Sequence, residues 1–158
     1  MLKKESQNLE IDNLDIDILK QLMQDATKPY TEIAKDLIVS GGTIHVRMKK
    51  LQEMGIIRGS HLIIDPQKAG YDICAFLGIY LEKGIQYKDA VNQLSKIKEV
   101  VELHYTTGSY SMFAKIICRD TSHLRHVLNE EIQAVEGIQR TETLISLEES
   151  IRRQIELG

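Results

Sequence analysis

Tryptophan is absent from this chain of 158 residues, and cysteine and proline occur only twice each. The two cysteines, Cys74 and Cys118, lie far apart in different apolar segments. A disulfide framework or a cysteine-built zinc site needs more thiols at closer spacing, so both are excluded. The two thiols read as reduced core residues of a cytoplasmic protein. No apolar run approaches the roughly 20 residues that a membrane-spanning helix requires. Residues 1–12 are polar and charged and lack the apolar core of a secretory signal, so no membrane association is expected. Internal repeats and low-complexity segments are missing too. There is no glycine-rich phosphate loop, no paired-carboxylate motif and no recognisable set of nucleophile, base and acid. Neither an enzyme nor a bound cofactor is expected. His123 and His126 stand three apart, and Glu130 could join them, but no cysteine or acidic cluster completes a ligand set. They read as exposed polar side chains, and no metal is expected.

What is present is ordinary globular composition, 42% apolar and 27% charged, on a chain long enough for two small domains. The net charge of −3 would not by itself suggest nucleic acid. Its distribution does. Between Gly41 and His61 stand Arg47, Lys49, Lys50 and Arg58 against Glu53 alone, whereas from Asp65 onward acidic residues outnumber basic ones. A local basic patch is all that phosphate contact requires.

Periodicity predicts three helices in the first part of the chain. Ile18, Leu19, Leu22 and Met23 repeat at helical spacing behind Asp12 or Asn13 as a cap, and Pro29 then breaks the chain. A short second helix carries Ile33, Ala34 and Leu37 on one face, with Thr31 as a cap. Ile38-Val39-Ser40 is a tight turn, and Ser40 caps a third helix over 41–54 that ends at Gly55. Ile56-Ile57-Arg58 and Leu62-Ile63-Ile64, separated by Gly59-Ser60-His61, suit a hairpin. Three helices with a tight turn before the third, followed by a hairpin, make a winged helix-turn-helix over 1–64. Residues 65–72, punctuated by Pro66 and Gly70, read as a linker.

The pattern then changes. Ala75–Leu81 is an apolar run suited to a buried strand, and Tyr87, Ala90, Val91 and Leu94 mark a helix. Val101–Thr107 and Tyr110–Cys118 alternate as strands about a turn at Thr107-Gly108-Ser109. Leu124, Val127, Leu128, Ile132 and Val135 mark a longer helix closed by Gly137, and 138–147 is a last strand. The tail from Glu148 reads as helical or frayed. The fold class is therefore α+β, with the winged helix-turn-helix followed by a ferredoxin-like β-α-β-β-α-β domain over 73–158. Its two helices cover one face of the sheet. The other face needs a second copy, so a homodimer, assembling further to a tetramer or octamer, is expected.

Turning the third helix by about 100° per residue puts Ile44, Met48 and Leu51 in one inward sector. Gly42, Thr43, Val46, Lys49 and Lys50 fall on the far side, with His45 and Arg47 on the flanks. That face suits the major groove of double-stranded DNA. Small residues allow close approach, Thr43 and Val46 can touch a thymine methyl, and Lys49 and Lys50 can reach phosphates. Ser40 and the free amides at the helix start suit a phosphate. Arg47 and His45 could contact bases or phosphates. Alternatively, Arg47 could pair with Glu32 or Asp36 of the second helix.

These residues carry a resemblance. Ile11-Asp12-Asn13-Leu14-Asp15, Gly42-Thr43-Ile44-His45-Val46-Arg47, Gly55-Ile56-Ile57, Tyr105-Thr106-Thr107-Gly108-Ser109-Tyr110-Ser111 and Thr141-Glu142-Thr143-Leu144-Ile145 together resemble the Lrp/AsnC, or feast/famine, family of transcription regulators. The stretches 43–47, 105–108 and 141–145 are most similar to the asparagine-responsive branch. The resemblance implies assembly through the C-terminal sheets, DNA on the helix-turn-helix domains, and a small effector, an amino acid, bound between subunits. Carried over, the effector residues are Tyr105, Thr106, Thr107, Gly108, Ser109, Tyr110 and Ser111. Gln133, Gln139 and Thr141 from a neighbouring copy close the site. Many relatives carry an acidic residue where this chain has Ser109, and often another at Ser111. Two hydroxyls in their place suit a polar side chain such as an amide. Gly41 stands where proline is common. Two other functions would fit the same domains: a general DNA-compacting protein with little sequence preference, and a ligand-binding partner of a metabolic enzyme.

Overall fold

The computed structural model describes residues 10–158. The chain forms two compact units: one ends at Leu62 and includes Arg152–Gly158, and the other spans Ile63–Ile151.

In the first unit, helix α1 is Asn13–Gln24, α2 is Tyr30–Asp36 and α3 is Gly41–Glu53. Asp12 caps α1 and exchanges backbone–carboxylate bonds with Asp15, so two amides at the helix start find partners in each other's side chains. Helix α2 starts two residues earlier than a Thr31 cap would allow. Pro29 occupies the cap position, and no side chain bonds to the helix start. Ile18, Ile33, Ala34, Ile44 and Met48 form the core, with Leu14, Leu22, Leu37 and Ile57 packed around it. All but Leu14 and Ile57 are residues that helical spacing marks as apolar stripes.

The expected hairpin is not formed within the chain. Residues 56–64 have no strand structure; the amides of Ile56 and Ile57 instead bond to the Leu51 carbonyl and finish α3. Leu62, Ile63 and Ile64 are exposed. An isolated two-stranded ribbon is marginal in water, and this stretch has no third strand to rest on.

The second unit is an antiparallel sheet in the order β2-β3-β1-β4, built from β1 (Ile73–Leu81), β2 (Val100–Tyr105), β3 (Met112–Cys118) and β4 (Ile138–Ile145). Helix α4 (Tyr87–Leu94) follows β1, and α5 (Thr121–His126) follows β3. The fold is ferredoxin-like, as the order of elements predicts. Helix α5 widens into a π turn over Val127–Ile132; Val127 and Ile132 are buried as their spacing predicts, but the widening itself is not legible from that spacing. Residues 148–158 carry no helix.

The sheet's two faces differ. Ala75, Leu77, Ile79, Ala114 and Ile116 point to the helices and are fully buried. Their alternates Phe76, Gly78, Tyr80, Phe113, Arg140 and Glu142 share the helix-free face, as the pairings Gly78–Phe113, Gly78–Glu142 and Tyr80–Arg140 require. Phe76 and Phe113 stack there at 5.8 Å.

His123 is held within this unit. Its Nδ1 accepts from the Arg119 amide at 3.2 Å, so Nε2 carries the proton and donates to the buried Glu99 at 3.1 Å. Among the described residues no cluster of metal-ligating side chains forms, and no helix is long and apolar enough to cross a membrane.

Candidate nucleic-acid interface and effector turn

Helix α3 begins at Ser40, whose hydroxyl accepts from the Thr43 amide at 3.1 Å and lies 2.8 Å from the Thr43 hydroxyl. Ile44, Met48 and Leu51 are buried beneath it. Ser40, Gly42, His45, Val46 and Lys49 are exposed on the other side, and Thr43 is half-buried. Val46 is 68% exposed, an apolar side chain in water with no packing reason to be there. The His45 ring meets Tyr30 of α2 edge-on at 4.9 Å, which fixes its direction. Among the described residues Lys49 reaches only Glu53, at 3.8 Å between two exposed side chains; such a pair is worth little and is easily exchanged.

Arg47 and Lys50 behave differently. Lys50, which the helical rotation puts on the outer face, turns back to Asp15 at 2.7 Å and to the Glu10 carbonyl at 3.1 Å. Arg47 pairs with Asp12 and, at 3.3 Å, with Asp15. Neither Glu32 nor Asp36 is its partner; Asp36 is taken by Lys28 at 2.6 Å. The Asp15 carboxylate is fully buried, so both cations compensate a charge that has no water. The hydrogen bond it donates to the Asp12 carboxylate holds the Arg47 guanidinium above its ordinary pKa. The Asp15 amide, and then Arg47, hold the Asp12 carboxyl below its own.

The turn before α3 contains a strained residue. Ile38 has φ of 55°, the left-handed region that a β-branched side chain resists, and it is 92% exposed. Ile38→Gly is expected to stabilise this unit by about 1 kcal/mol. It relieves about 1–2 kcal/mol of strain against a smaller gain in unfolded-chain entropy. Urea unfolding measures this; an unchanged or lowered midpoint refutes it.

In the second unit, the β2–β3 turn is tied at its base. The Thr106 amide donates to the Ser111 carbonyl at 3.2 Å, and the Thr106 hydroxyl donates to the Tyr110 carbonyl at 2.9 Å. The Ser111 amide donates to the Ile79 carbonyl at 2.9 Å, and its hydroxyl accepts from the Leu81 amide at 3.2 Å. Gly108 has φ of 100°, which explains glycine there. Among the described residues no hydrogen bond engages the amides of Thr107, Gly108 or Ser109. Tyr105 packs its ring on Tyr87 at 4.4 Å. Gln133, Gln139 and Thr141, with Ile138 and Arg140, line a separate open cavity of about 380 Å³. The turn and the cavity are thus separate features of this chain and do not make one pocket.

Four residues missing from the sequence reading connect the turn to the sheet. The Tyr110 ring lies so close over Gly78 that a Cβ there would sit 2.4 Å from it. Its hydroxyl donates to Glu142 at 2.8 Å, as the Tyr80 hydroxyl does at 3.1 Å. Arg140 bonds to the same carboxylate at 3.2 Å and stacks 3.8 Å over the Tyr80 ring. The Tyr110 and then the Tyr80 hydroxyl hold the Glu142 carboxyl below its ordinary pKa. One signal could have found this cluster: a glycine inside the apolar run Phe76-Leu77-Gly78-Ile79-Tyr80 marks a close approach.

Comparison with known proteins agrees with both halves of the chain. A model of the Lrp/AsnC ligand binding domain matches residues 74–155, and one of the winged helix-turn-helix DNA-binding segment matches residues 11–58. The regulatory protein AsnC of Haemophilus influenzae is 48% identical over 145 residues, which cover 92% of this chain and 97% of that protein. The protein of the same name from Escherichia coli K12 is 46% identical, over 94% of this chain and 98% of its own length. The solved structure of E. coli AsnC superposes with a TM-score of 0.89 at 45% identity, covering 94% of this chain and 99% of that one.

Proposed function

The chain belongs to the Lrp/AsnC family of DNA-binding transcription regulators, and on that premise we propose that its effector is a free amino acid, asparagine first, bound at the 105–111 turn. The observation that carries this reading is the set of unengaged amides at Thr107, Gly108 and Ser109 on a turn tied at its base. Backbone donors in a glycine-bearing turn suit a carboxylate. The hydroxyls of Thr107, Ser109 and Ser111 suit a side-chain amide. Gln133, Gln139 and Thr141 of a second copy complete the site, since one chain keeps them in a separate cavity.

On the DNA side, Thr43 and Val46 read bases at close range through Gly42. Ser40 and Lys49 hold phosphates, and His45, braced by Tyr30, contacts the flank. The chain acts in the cytoplasm by binding and not by catalysis. Its domains are 1–64 and 73–158 joined by 65–72, and it works as a homodimer that assembles to a tetramer or octamer. The helix-free sheet face, with Phe76 and Phe113 stacked on it, is the surface that pairs.

Calorimetric titration of the purified protein with asparagine, then with the other common amino acids, tests the effector. Gly108→Asp is the control, because a side chain at φ of 100° strains the turn. Saturable asparagine binding that the control loses supports the proposal. Binding of a different amino acid keeps the site and changes the effector. No binding by any of them refutes the effector reading.

A further inference from the structure

The recognition segment has a small stock of positive charge, and its geometry divides that stock in two. Lys49 is held by an exposed pair that phosphate can replace at little cost. Arg47 and Lys50 are each about three-quarters covered and bound to Asp15, which has no exposure at all. Pulling either cation out to a phosphate would weaken the compensation of a buried carboxylate, which is far more expensive than breaking a surface pair. Asp12, half-exposed at the α1 cap, adds a second hold on Arg47.

We propose that Asp12 and Asp15 form an acidic clamp that withholds Arg47 and Lys50 from DNA phosphates, and so limits sequence-independent affinity. The clamp acts as a specificity determinant. Phosphate contacts strengthen binding to every sequence alike, whereas the base-facing residues Thr43 and Val46 discriminate. With two cations engaged internally, a larger share of the binding energy comes from the reading face. Because the acids sit on α1 and the bases on α3, the same pairs also fix the angle at which α3 is presented. The electrostatic role is separable from that geometric one by experiment.

The test measures affinity of the full chain for a short mixed-sequence DNA duplex by fluorescence anisotropy over a range of potassium chloride concentrations. Asp12→Asn is the principal variant, since asparagine caps a helix as well as aspartate and the fold is kept; thermal melting verifies this. Each cation released to a phosphate should steepen the log–log salt dependence by about 0.9. Asp12→Asn removes the closer of Arg47's two partners while Lys50 still compensates Asp15, and it is expected to steepen the dependence and to tighten mixed-sequence binding several-fold at low salt. Adding Arg47→Gln should abolish that gain, while Arg47→Gln or Lys50→Gln in the otherwise unchanged protein should leave the slope as it was. Lys49→Gln should make it shallower by about one contact. Three results overturn the proposal. One is a shallower slope from Arg47→Gln or Lys50→Gln alone, which would make these side chains phosphate contacts already. Another is a gain in Asp12→Asn that survives loss of Arg47, which would be long-range repulsion only. The third is an Asp12→Asn variant that stays folded and binds with an unchanged slope.

Discussion

Asp15→Ala is expected to destabilise the DNA-binding unit by about 2–3 kcal/mol, more than any single change to the exposed charges of α3. The carboxylate is fully buried and holds Lys50 at 2.7 Å and Arg47 at 3.3 Å. It also accepts from the Asp12 amide at 3.1 Å, half of the reciprocal cap of α1. Its removal leaves Arg47 with Asp12 alone, Lys50 with the Glu10 carbonyl alone, and the Asp12 amide without its acceptor. The full cost of breaking a buried pair is about 3–5 kcal/mol. Here Lys50 and Arg47 keep these second partners and about a quarter of their side-chain exposure, which lowers the figure. Urea unfolding followed by circular dichroism measures it, with Lys49→Ala as the comparison, where a change within about 0.5 kcal/mol is expected. If Asp15→Ala costs no more than Lys49→Ala, the buried network is only a collection of surface pairs. The acidic clamp would then have no energetic basis either.

Gly78→Ala should have the largest effect in the second unit. The added methyl would meet three ring carbons of Tyr110 at 2.4–2.7 Å, and real side chains do not approach so closely. The ring is not a flexible tip that can swing aside cheaply. It is fixed by its hydroxyl on Glu142 and flanked by Tyr80 at 5.2 Å and Phe113 at 5.9 Å. Overpacking of this kind costs about 1–3 kcal/mol. Lifting Tyr110 also pulls on the 105–111 turn, because its carbonyl accepts from Thr106 and its neighbour Ser111 bonds to Ile79 and Leu81. Amino-acid binding is therefore expected to weaken more than tenfold, or by over 1.4 kcal/mol. A double-mutant cycle isolates the cause. In a Tyr110→Ala background Gly78→Ala should cost almost nothing, because nothing is left to collide with. An equal cost in both backgrounds would place the strain in the strand and not in the ring.

These two sites show how differently sequence and structure contribute. Residue spacing carries the helices and strands. Ile44, Met48 and Leu51 are buried where their spacing puts them, and β1 and β3 alternate as their residues do. Two of the three helix caps are equally legible, because Asp12 and Ser40 have their hydrogen-bonding partners three residues away, whereas Thr31 does not cap α2. The hairpin expected over 56–64 does not form, for the opposite reason. β-rich composition says that a segment can pair, but it does not supply the neighbouring strand that would hold it.

The outward-facing residues of α3 show where spacing stops being informative. A helical rotation places a Cα on a face; it does not say where the end of a long side chain goes. Lys50 starts on the outer side and still returns to Asp15, 35 positions earlier in the chain. Arg47 has Glu32 and Asp36 nearer in sequence, yet it reaches Asp12 and Asp15 because α1 packs against α3. Gly78, Tyr110 and Glu142 are likewise far apart in the chain and meet only because β1 pairs with β4 and the β2–β3 turn folds over it. By itself, then, the sequence determined most of the elements, their order and the two faces of α3, since these follow from interactions between near neighbours. Which cations of α3 are held by acids of α1, and which residues fasten the 105–111 turn to the sheet, was decided only by tertiary packing, because charge pairing and close contact depend on distance in space and not on separation along the chain.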